Sequence, residues 1–121
     1  MFLFLDDYRN PKDVKWVKLP SHKWDIVRNF EEFSDYILKN GIPKFVAYDH
    51  DLADEHYGQN NVIDYKNLKE KTGYDCAKFL VEICASKNIK HPDFVVHSLN
   101  PAGKANIQAF INSYNKSFEI F

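Results

Sequence analysis

The sequence has no excess of charge of either sign, only two cysteines and no long hydrophobic run. Lys and Arg number 16 against 17 Asp and Glu, a net charge of −1, whereas a broad nucleic-acid-binding face usually carries a basic excess. Any contact with RNA or DNA is therefore expected to be local, at a chain end or a single nucleotide. Cys76 and Cys84 lie in one predicted helix, about 12 Å apart along its axis. That spacing excludes a disulfide between them and predicts two core thiols.

Nothing in the sequence indicates a membrane span or an export signal. No apolar stretch approaches the length of a bilayer crossing. The apolar residues 1–5 follow no basic segment and end at an acidic pair, so they predict a buried strand rather than a signal peptide. A chain of 121 residues that is 45% hydrophobic and 16% aromatic suits one packed domain and excludes a disordered chain. We expect a single cytoplasmic domain over residues 1–121, with no membrane contact and an oligomeric state that the sequence leaves open.

Short apolar runs alternate with helical patterns along most of the chain. Three helices are predicted, with Asn29, Thr72 and Asn100 at their N-caps. This alternation predicts an α/β fold with a parallel sheet and right-handed crossovers. Five β-strands are predicted, at Phe2–Leu5, Trp24–Val27, Lys44–Tyr48, Asp93–Val96 and Ser117–Phe121. The side chains expected to be buried on adjacent central strands are Phe4, Val46 and Val95.

Two segments depart from this pattern. Residues 8–23 contain two prolines and show no helical face, so the first crossover is expected to be largely irregular. Residues 52–71 are polar and unpatterned, and a loop of that length in a small domain is usually a lid or an inserted binding loop. His22, His56 and His91 lie in polar stretches and are expected to be solvated, His56 within the long loop.

Polar side chains follow three of the predicted strands. Ligands of open parallel sheets bind beyond the carboxyl ends of the strands, so these residues are expected to meet at one edge. Several carboxylates in one place repel each other, and a divalent cation such as Mg²⁺ or Mn²⁺ would remove that conflict. The residues concerned are Asp6, Asp7 and Arg9 after the first strand, Asp49, His50 and Asp51 after the third, and His97, Ser98 and Asn100 after the fourth.

The third predicted helix begins beside this group. A helix N-terminus with free N–H groups favours an anion, Gly103 would allow close approach, and Lys104 would add positive charge. Anion donors opposite a metal cluster are what a phosphate ester requires. His97 is expected to be functional, whereas His50 is able to point away, because neighbours along a strand face opposite sides.

The order of four motifs resembles the cyclic-phosphate-processing receiver-like family. These motifs are LDDYRNP, AYDHDL, TGYDCAKFL and VVHSLNPAGKANI, and only the long insert and the last few residues lie outside them. The resemblance implies a receiver-like (flavodoxin-like) fold with strand order 2-1-3-4-5. The functional positions that it implies are Asp6, Asp7, Arg9, Asp49, His50, Asp51, His97, Ser98, Asn100 and Asn106.

True receivers match this sequence only in part. Their acidic pair after the first strand and their phospho-accepting Asp after the third correspond to Asp6, Asp7 and Asp49. Receivers also place a lysine after the fifth strand and add a fifth helix, and neither follows Phe118 in this sequence. Acid–base groups near a metal suit hydrolysis better than a stable aspartyl-phosphate.

The leading hypothesis is a metal-dependent phosphoesterase acting on a cyclic phosphate, either an RNA 2′,3′-cyclic end or a cyclic nucleotide. His97 would protonate the leaving oxygen, and His50 or Asp51 would activate water. The divalent metal would be held by Asp7 and Asp49, with Asp6 or Asp51 completing or orienting the shell, and the phosphate would be bound by Arg9, Ser98, Asn100, Lys104 and Asn106. Three alternatives remain open: a non-catalytic module that binds a metal or nucleotide, a phosphoacceptor signalling domain using Asp49, and a protein-interaction domain with an acidic edge.

Overall fold

A computed structural model describes residues 1–52 and 71–119 of the chain. Four strands form one parallel sheet in the order β2-β1-β3-β4. They are β1 (Phe2–Leu5), β2 (Trp24–Val27), β3 (Phe45–Tyr48) and β4 (Asp93–Val96). The helices are α1 (Phe30–Asn40), α2 (Gly73–Ser86) and α3 (Pro101–Lys116), with short 3₁₀ segments at Pro11–Asp13 and Ser117–Glu119. The predicted α/β class, the parallel sheet and its first four strand positions are confirmed.

The predicted fifth strand is wrong over the residues that the structure describes. Ser117–Glu119 continue α3 as a 3₁₀ turn, and the predicted residues 120 and 121 lie outside the described part. No glycine or proline interrupts the chain at this point, so the helical path continues. The Ser117 hydroxyl donates to the Tyr114 carbonyl at 2.6 Å, and the Phe118 ring meets the Tyr114 ring edge-on at 5.4 Å.

The predicted N-caps begin the three helices. The side-chain oxygen of Asn29 accepts from the Glu32 amide, and that of Asn100 accepts from the Gly103 amide. Thr72 forms a reciprocal capping box with Asp75. These bonds satisfy backbone donors that have no partner within their own helix, so the sequence signals set the points at which the helices leave the sheet.

The two faces of the sheet are covered differently. On the helix face, α1, α2 and α3 pack against alternate strand residues, namely Leu3, Leu5, Val46, Tyr48 and Val96. On the crossover face, the segment between β1 and β2 covers the intervening residues: Val14, Val17 and Leu19 pack with Phe4, Ala47 and Val95. Only Pro11–Asp13 is regular within that segment, which confirms the irregular first crossover.

Burial follows strand position. Phe4 and Val46 lie on the two central strands and are fully buried, as predicted. Val95 is only half-buried, and in the described part of the chain its strand β4 has a neighbouring strand on one side. Both cysteines are buried thiols, which confirms that prediction, and burial raises the pKa of Cys84 to about 11.

His91 corrects the expectation that it is solvated. Its side chain is buried on the helix face, with Nε2 2.7 Å from the Tyr48 hydroxyl. Burial lowers the pKa of His91 to about 4, although the Pro92 carbonyl opposes that shift. His22 is exposed, as predicted, and stacks on Phe2. His56 and residues 53–70 of the predicted lid or insert loop lie outside the described residues. None of the described helices has the length and apolarity that a bilayer crossing requires.

Candidate active site

The core of the candidate site is a cluster of Asp6, Asp49 and His97 on the crossover face. Each lies two residues beyond a crossover-face side chain of β1, β3 or β4, so the alternation of the strands directs all three to the same side. One carboxylate oxygen or imidazole nitrogen from each lies within 4.8 Å of the others. Their exposed fractions are 0% for Asp6, 4% for Asp49 and 0% for His97. We call these three residues the Asp–Asp–His cluster.

Asp6 accepts four hydrogen bonds. Its Oδ1 accepts from the backbone amides of Tyr8 and Arg9 at 3.0 and 2.8 Å, and its Oδ2 accepts from the Arg9 guanidinium at 3.3 Å and from His97 Nε2 at 3.0 Å. Burial raises the pKa of Asp6, but the bonds from His97 and from the two amides outweigh it, so this pKa lies well below its usual range. Asp6 is therefore an anion whose oxygens are already occupied, a suitable group to orient its neighbours.

Asp49 has the opposite environment. Within the described residues it accepts one hydrogen bond, from the His50 amide to Oδ1 at 2.8 Å. Burial and the nearby Asp6 charge raise the pKa of Asp49 to about 6, although the His50 amide, His97 and Arg9 act against that shift. Two carboxylates within one cluster thus have pKa values displaced in opposite directions, which is a feature of sites that handle protons or cations.

His97 is held on two sides. Its ring is stacked on Phe4, with centroids 4.7 Å apart and planes 3° from parallel. Because a carboxylate only accepts, the bond to Asp6 means that Nε2 carries the hydrogen. Nδ1 is buried and has no hydrogen-bond partner among the described residues. Asp6 therefore fixes the ring and leaves Nδ1 as the nitrogen able to exchange a proton or bind a ligand.

Three residues beside the cluster were not predicted from the sequence, namely Tyr8, Trp16 and Arg28. The guanidinium of Arg9, a predicted phosphate ligand, lies 4.6 Å from the Tyr8 ring centroid and 5.2 Å from that of Trp16. The Trp16 indole donates to the His97 carbonyl at 2.7 Å. Arg28, directly after β2, donates to the Asp6 and Arg9 carbonyls and to the Asn10 side chain. Only Arg28 had a detectable signal, because it is a polar residue at a carboxyl strand end.

His50 and Asp51 form a separate group on the helix side. The His50 Nδ1 lies 2.8 Å from an Asp51 carboxylate oxygen. The same oxygen also accepts from the side-chain Nδ2 of Asn100 at 3.3 Å. The His50 ring lies against Gly103, so closely that a β-carbon there would come within 2.4 Å of it. With Asn106 it lines an open cleft of about 670 Å³ between α2 and α3. The structure therefore brings these predicted residues together, but not with the Asp–Asp–His cluster.

The start of α3 uses most of its polar groups internally. The Ser98 hydroxyl accepts from the Asn100 amide at 3.0 Å, and Asn100 in turn caps the Gly103 amide. The Lys104 amide donates to the Asn100 carbonyl, and its ammonium forms no hydrogen bond or ion pair with another described residue. The space that glycine provides at Gly103 holds the His50 ring rather than a phosphate. Of the predicted phosphate ligands, Arg9 pairs with a carboxylate of the cluster, that of Asp6, at 3.3 Å.

A parallel sheet with acidic residues beyond β1 and β3 defines a receiver-like domain. The model of one family, the Cyclic-phosphate processing Receiver domain, matches residues 1–113. The chain belongs to this family, as the order of its motifs predicted, and the family is associated with the processing of cyclic phosphates. Comparisons with curated proteins and with solved structures gave no match.

Proposed function

We propose that this domain hydrolyses a cyclic phosphate ester at the Asp–Asp–His cluster. The observation that carries this proposal is the burial of Asp6, Asp49 and His97 with donor atoms within 4.8 Å of one another. Burying two carboxylates side by side costs stability, so packing alone is a poor reason for this arrangement. Arg9, which pairs with Asp6, supplies a positive charge for the phosphate oxygens at the same place.

A divalent cation fits this donor set. Asp49 has one oxygen that accepts no hydrogen bond from the described residues. Burial and the nearby Asp6 charge raise the pKa of Asp49, and a bound cation would favour the charged form of this carboxylate. Within the Asp–Asp–His cluster, Asp49 would hold the ion, whereas Asp6 is suited to orientation because its oxygens are already occupied. Asp7, the other metal ligand that the sequence predicts, is not part of this cluster. When bound, Mg²⁺ or Mn²⁺ would polarise a phosphoryl oxygen and make water more acidic.

The chain's own residues would handle the phosphate and the proton. In the reaction, water adds to phosphorus, one ester P–O bond of the ring breaks, and the released oxygen takes a proton to give a phosphate monoester. His97, protonated on both ring nitrogens, is the proposed donor of that proton through Nδ1 and would regain it from the attacking water, with Asp6 holding Nε2 and Arg9 binding phosphate oxygens. The His50 ring points to the α2–α3 cleft and away from the Asp–Asp–His cluster, so His50 and Asp51 would activate water only for a phosphate bound in that cleft.

The experiment is a panel of cyclic phosphates tested with chelator, Mg²⁺ or Mn²⁺, on wild type and three variants. His97→Ala is expected to lower turnover per folded molecule by roughly a hundredfold or more while ligand affinity changes little. The melting temperature should fall as well, because the variant removes a buried ring and one hydrogen bond to Asp6. His22→Ala is the matched control, because this exposed histidine stacks on Phe2 away from the cluster. A comparable loss in His50→Ala would move the proton donor to the helix side.

The metal is tested separately by calorimetric titration of Mg²⁺ and Mn²⁺ into wild type and Asp49→Asn. We expect measurable binding that the substitution removes. Equal, negligible binding in both would leave a metal-free mechanism. Nucleotide binding by wild type without turnover of any cyclic phosphate would instead support a binding module. Formation of an aspartyl-phosphate that Asp49→Asn prevents would support the phosphoacceptor alternative.

A further inference from the structure

We propose that Tyr8 and Trp16 form a stacking platform for a nucleobase beside the Asp–Asp–His cluster. This inference rests on the proposed function and names its substrate class: a nucleoside or RNA-terminal cyclic phosphate rather than a base-free cyclic ester. The two rings and the Arg9 side chain between them are called the aromatic platform below.

The exposure of the two rings is unusual within this chain. The exposed fractions of Tyr8 and Trp16 are 60% and 40%, whereas every other described Phe, Tyr and Trp is buried or half-buried. Large exposed aromatic surface is unfavourable in water and often marks a binding site. Packing explains the buried rings, but it does not explain why the two exposed ones lie at the same place.

Both rings are tied to residues of the cluster. The Arg9 guanidinium lies over both rings, and the same guanidinium pairs with the Asp6 carboxylate at 3.3 Å. The Trp16 indole N–H donates to the carbonyl of His97. The polar N–H of Trp16 is therefore hydrogen-bonded within the protein, while part of the ring surface stays in solvent. A ligand whose phosphate reaches Arg9 would have an aromatic surface immediately available.

A nucleobase is the ligand chemistry that this surface fits. Bases stack on aromatic rings and on arginine planes, with a contribution that depends little on base identity. The near-neutral charge of the chain does not favour a long electrostatic track for RNA. One stacked base with one phosphate at Arg9 is a contact that a chain of this charge is able to make.

The cleft between α2 and α3 is the rival location for a base. It is lined by the aromatic residues Tyr74 and Phe110, but it opens on the helix side beside His50. The Asp–Asp–His cluster lies on the crossover face, with the segment that carries Tyr8 and Trp16. A base in the α2–α3 cleft would therefore be on the wrong side of the sheet for its phosphate to reach His97.

Calorimetric titration tests the platform without requiring turnover. The probes are adenosine 3′-monophosphate, ribose 5-phosphate and inorganic phosphate, each with and without Mg²⁺. The variants are Tyr8→Leu and Trp16→Leu, which keep apolar surface but remove the ring. Tyr74→Leu, in the rival cleft, is the matched control. Tyr8→Leu is the cleaner variant, because no side-chain hydrogen bond of Tyr8 is lost among the described residues.

Wild type is expected to bind adenosine 3′-monophosphate at least tenfold more tightly than ribose 5-phosphate. Tyr8→Leu and Trp16→Leu should each weaken nucleotide binding about tenfold to a hundredfold and leave phosphate binding unchanged. Tyr8→Phe, which keeps the ring, should bind the nucleotide as tightly as wild type. Equal binding of both probes by wild type, a loss only in Tyr74→Leu, or no nucleotide binding at all would overturn the platform. Base-dependent binding without hydrolysis would contradict the proposed function alone. Equally efficient hydrolysis of a base-free cyclic phosphate would contradict the platform alone.

Discussion

The helix face and the crossover face of the four-stranded sheet differ in the structure that covers them and in the residues that they bury. Neighbouring residues such as Phe4 and Leu5, or Ala47 and Tyr48, send their side chains to opposite faces. The helix face meets three regular helices, and its largest cluster of buried residues is apolar. The crossover face meets an irregular segment with a smaller apolar cluster and holds the buried Asp6, Asp49 and His97.

This difference shows how a small domain accommodates an unfavourable group of charges. Hydrophobic burial on the helix face contributes stability in proportion to the apolar area removed from water. That contribution offsets the cost of burying Asp49 beside Asp6 on the other face. Substitutions on the helix face should therefore affect folding, and those beyond the strands on the crossover face should affect chemistry and pH dependence.

The largest expected effect is that of Gly73→Ala, where α2 meets the end of β3. A β-carbon at this position would lie 1.7 Å from the Asp49 carbonyl oxygen, and the Gly73 amide donates to the His50 carbonyl. Because the obstacle is backbone, the first turn of α2 would have to move. We expect a loss of roughly 4 kcal/mol or more in the free energy of unfolding, measured by urea denaturation.

Gly103→Ala is the matched control for that substitution. Its β-carbon would meet the side chain of His50, which is able to rotate at the expense of its bond to Asp51. A smaller loss is expected. Equal losses in the two variants would contradict the claim that backbone contact between α2 and β3 limits this position.

The second prediction compares the cores of the two faces directly. Leu80 on α2 is fully buried on the helix face, whereas Val95 on β4 is half-buried on the crossover face. Leu80→Ala should cost about 2–5 kcal/mol, and Val95→Ala about 1 kcal/mol or less. Urea unfolding of both variants gives the comparison. A larger cost for Val95→Ala would show that the crossover face carries more of the stability than its burial indicates.

The third prediction uses the two carboxylates, whose pKa values are displaced in opposite directions. The pKa of Asp49 is raised to about 6. Its favourable contribution to the free energy of unfolding is therefore present below about pH 4, where the carboxyl is protonated, and is lost as the pH rises through 6. Asp49→Asn should thus be more stable than wild type by roughly 2–3 kcal/mol at pH 8 and nearly equal to it at pH 4. The lowered pKa of Asp6 gives the opposite sign: its contribution is present above about pH 4 and is lost at lower pH.

Asp6→Asn is the matched variant for this measurement, with a loss expected at pH 8. Both variants are unfolded by urea at several pH values with a chelator present, so that no cation compensates the charges. Destabilisation of Asp49→Asn at pH 8 would mean that the Asp49 charge is already neutralised by a partner. In that case the argument for a cation at this position would lose its main support.

The positions of the strands and helices were predicted from the sequence more accurately than the surroundings of individual side chains. The apolar runs and the N-cap residues Asn29, Thr72 and Asn100 correctly located four strands and three helices, because these signals are local. The run from Ser117 resembled a strand, but nothing before it ends α3. His91 looked solvated because its sequence neighbours are polar, although the Tyr48 hydroxyl that holds it lies 43 residues away.

The candidate site shows the same limit. The rule that ligands bind at carboxyl strand ends named Asp6, Asp49 and His97, which the structure brings close together, and it also named His50, whose ring points to α3. To distinguish His50 from these three residues, one must know which face of the sheet each side chain points to. Short strands that are apolar on both faces do not reveal this. Trp16 lies in an irregular segment, where sequence periodicity carries no information about its contact with His97.

The smallest expected effect concerns Arg28, which ties the end of β2 to the loop after β1. Its guanidinium donates to the Asp6 and Arg9 carbonyls at 3.1 and 2.5 Å and to the Asn10 side chain at 2.8 Å. A lysine keeps the charge but lacks the planar fork that reaches three acceptors. Arg28→Lys should therefore cost about 1 kcal/mol, a fall of roughly 4 °C in melting temperature. Arg28→Gln should cost more, because it also removes the charge. If both variants melt like wild type, the loop that carries Tyr8 and Arg9 is held by its bonds to Asp6 alone, and the crossover face depends less on β2 than this geometry indicates.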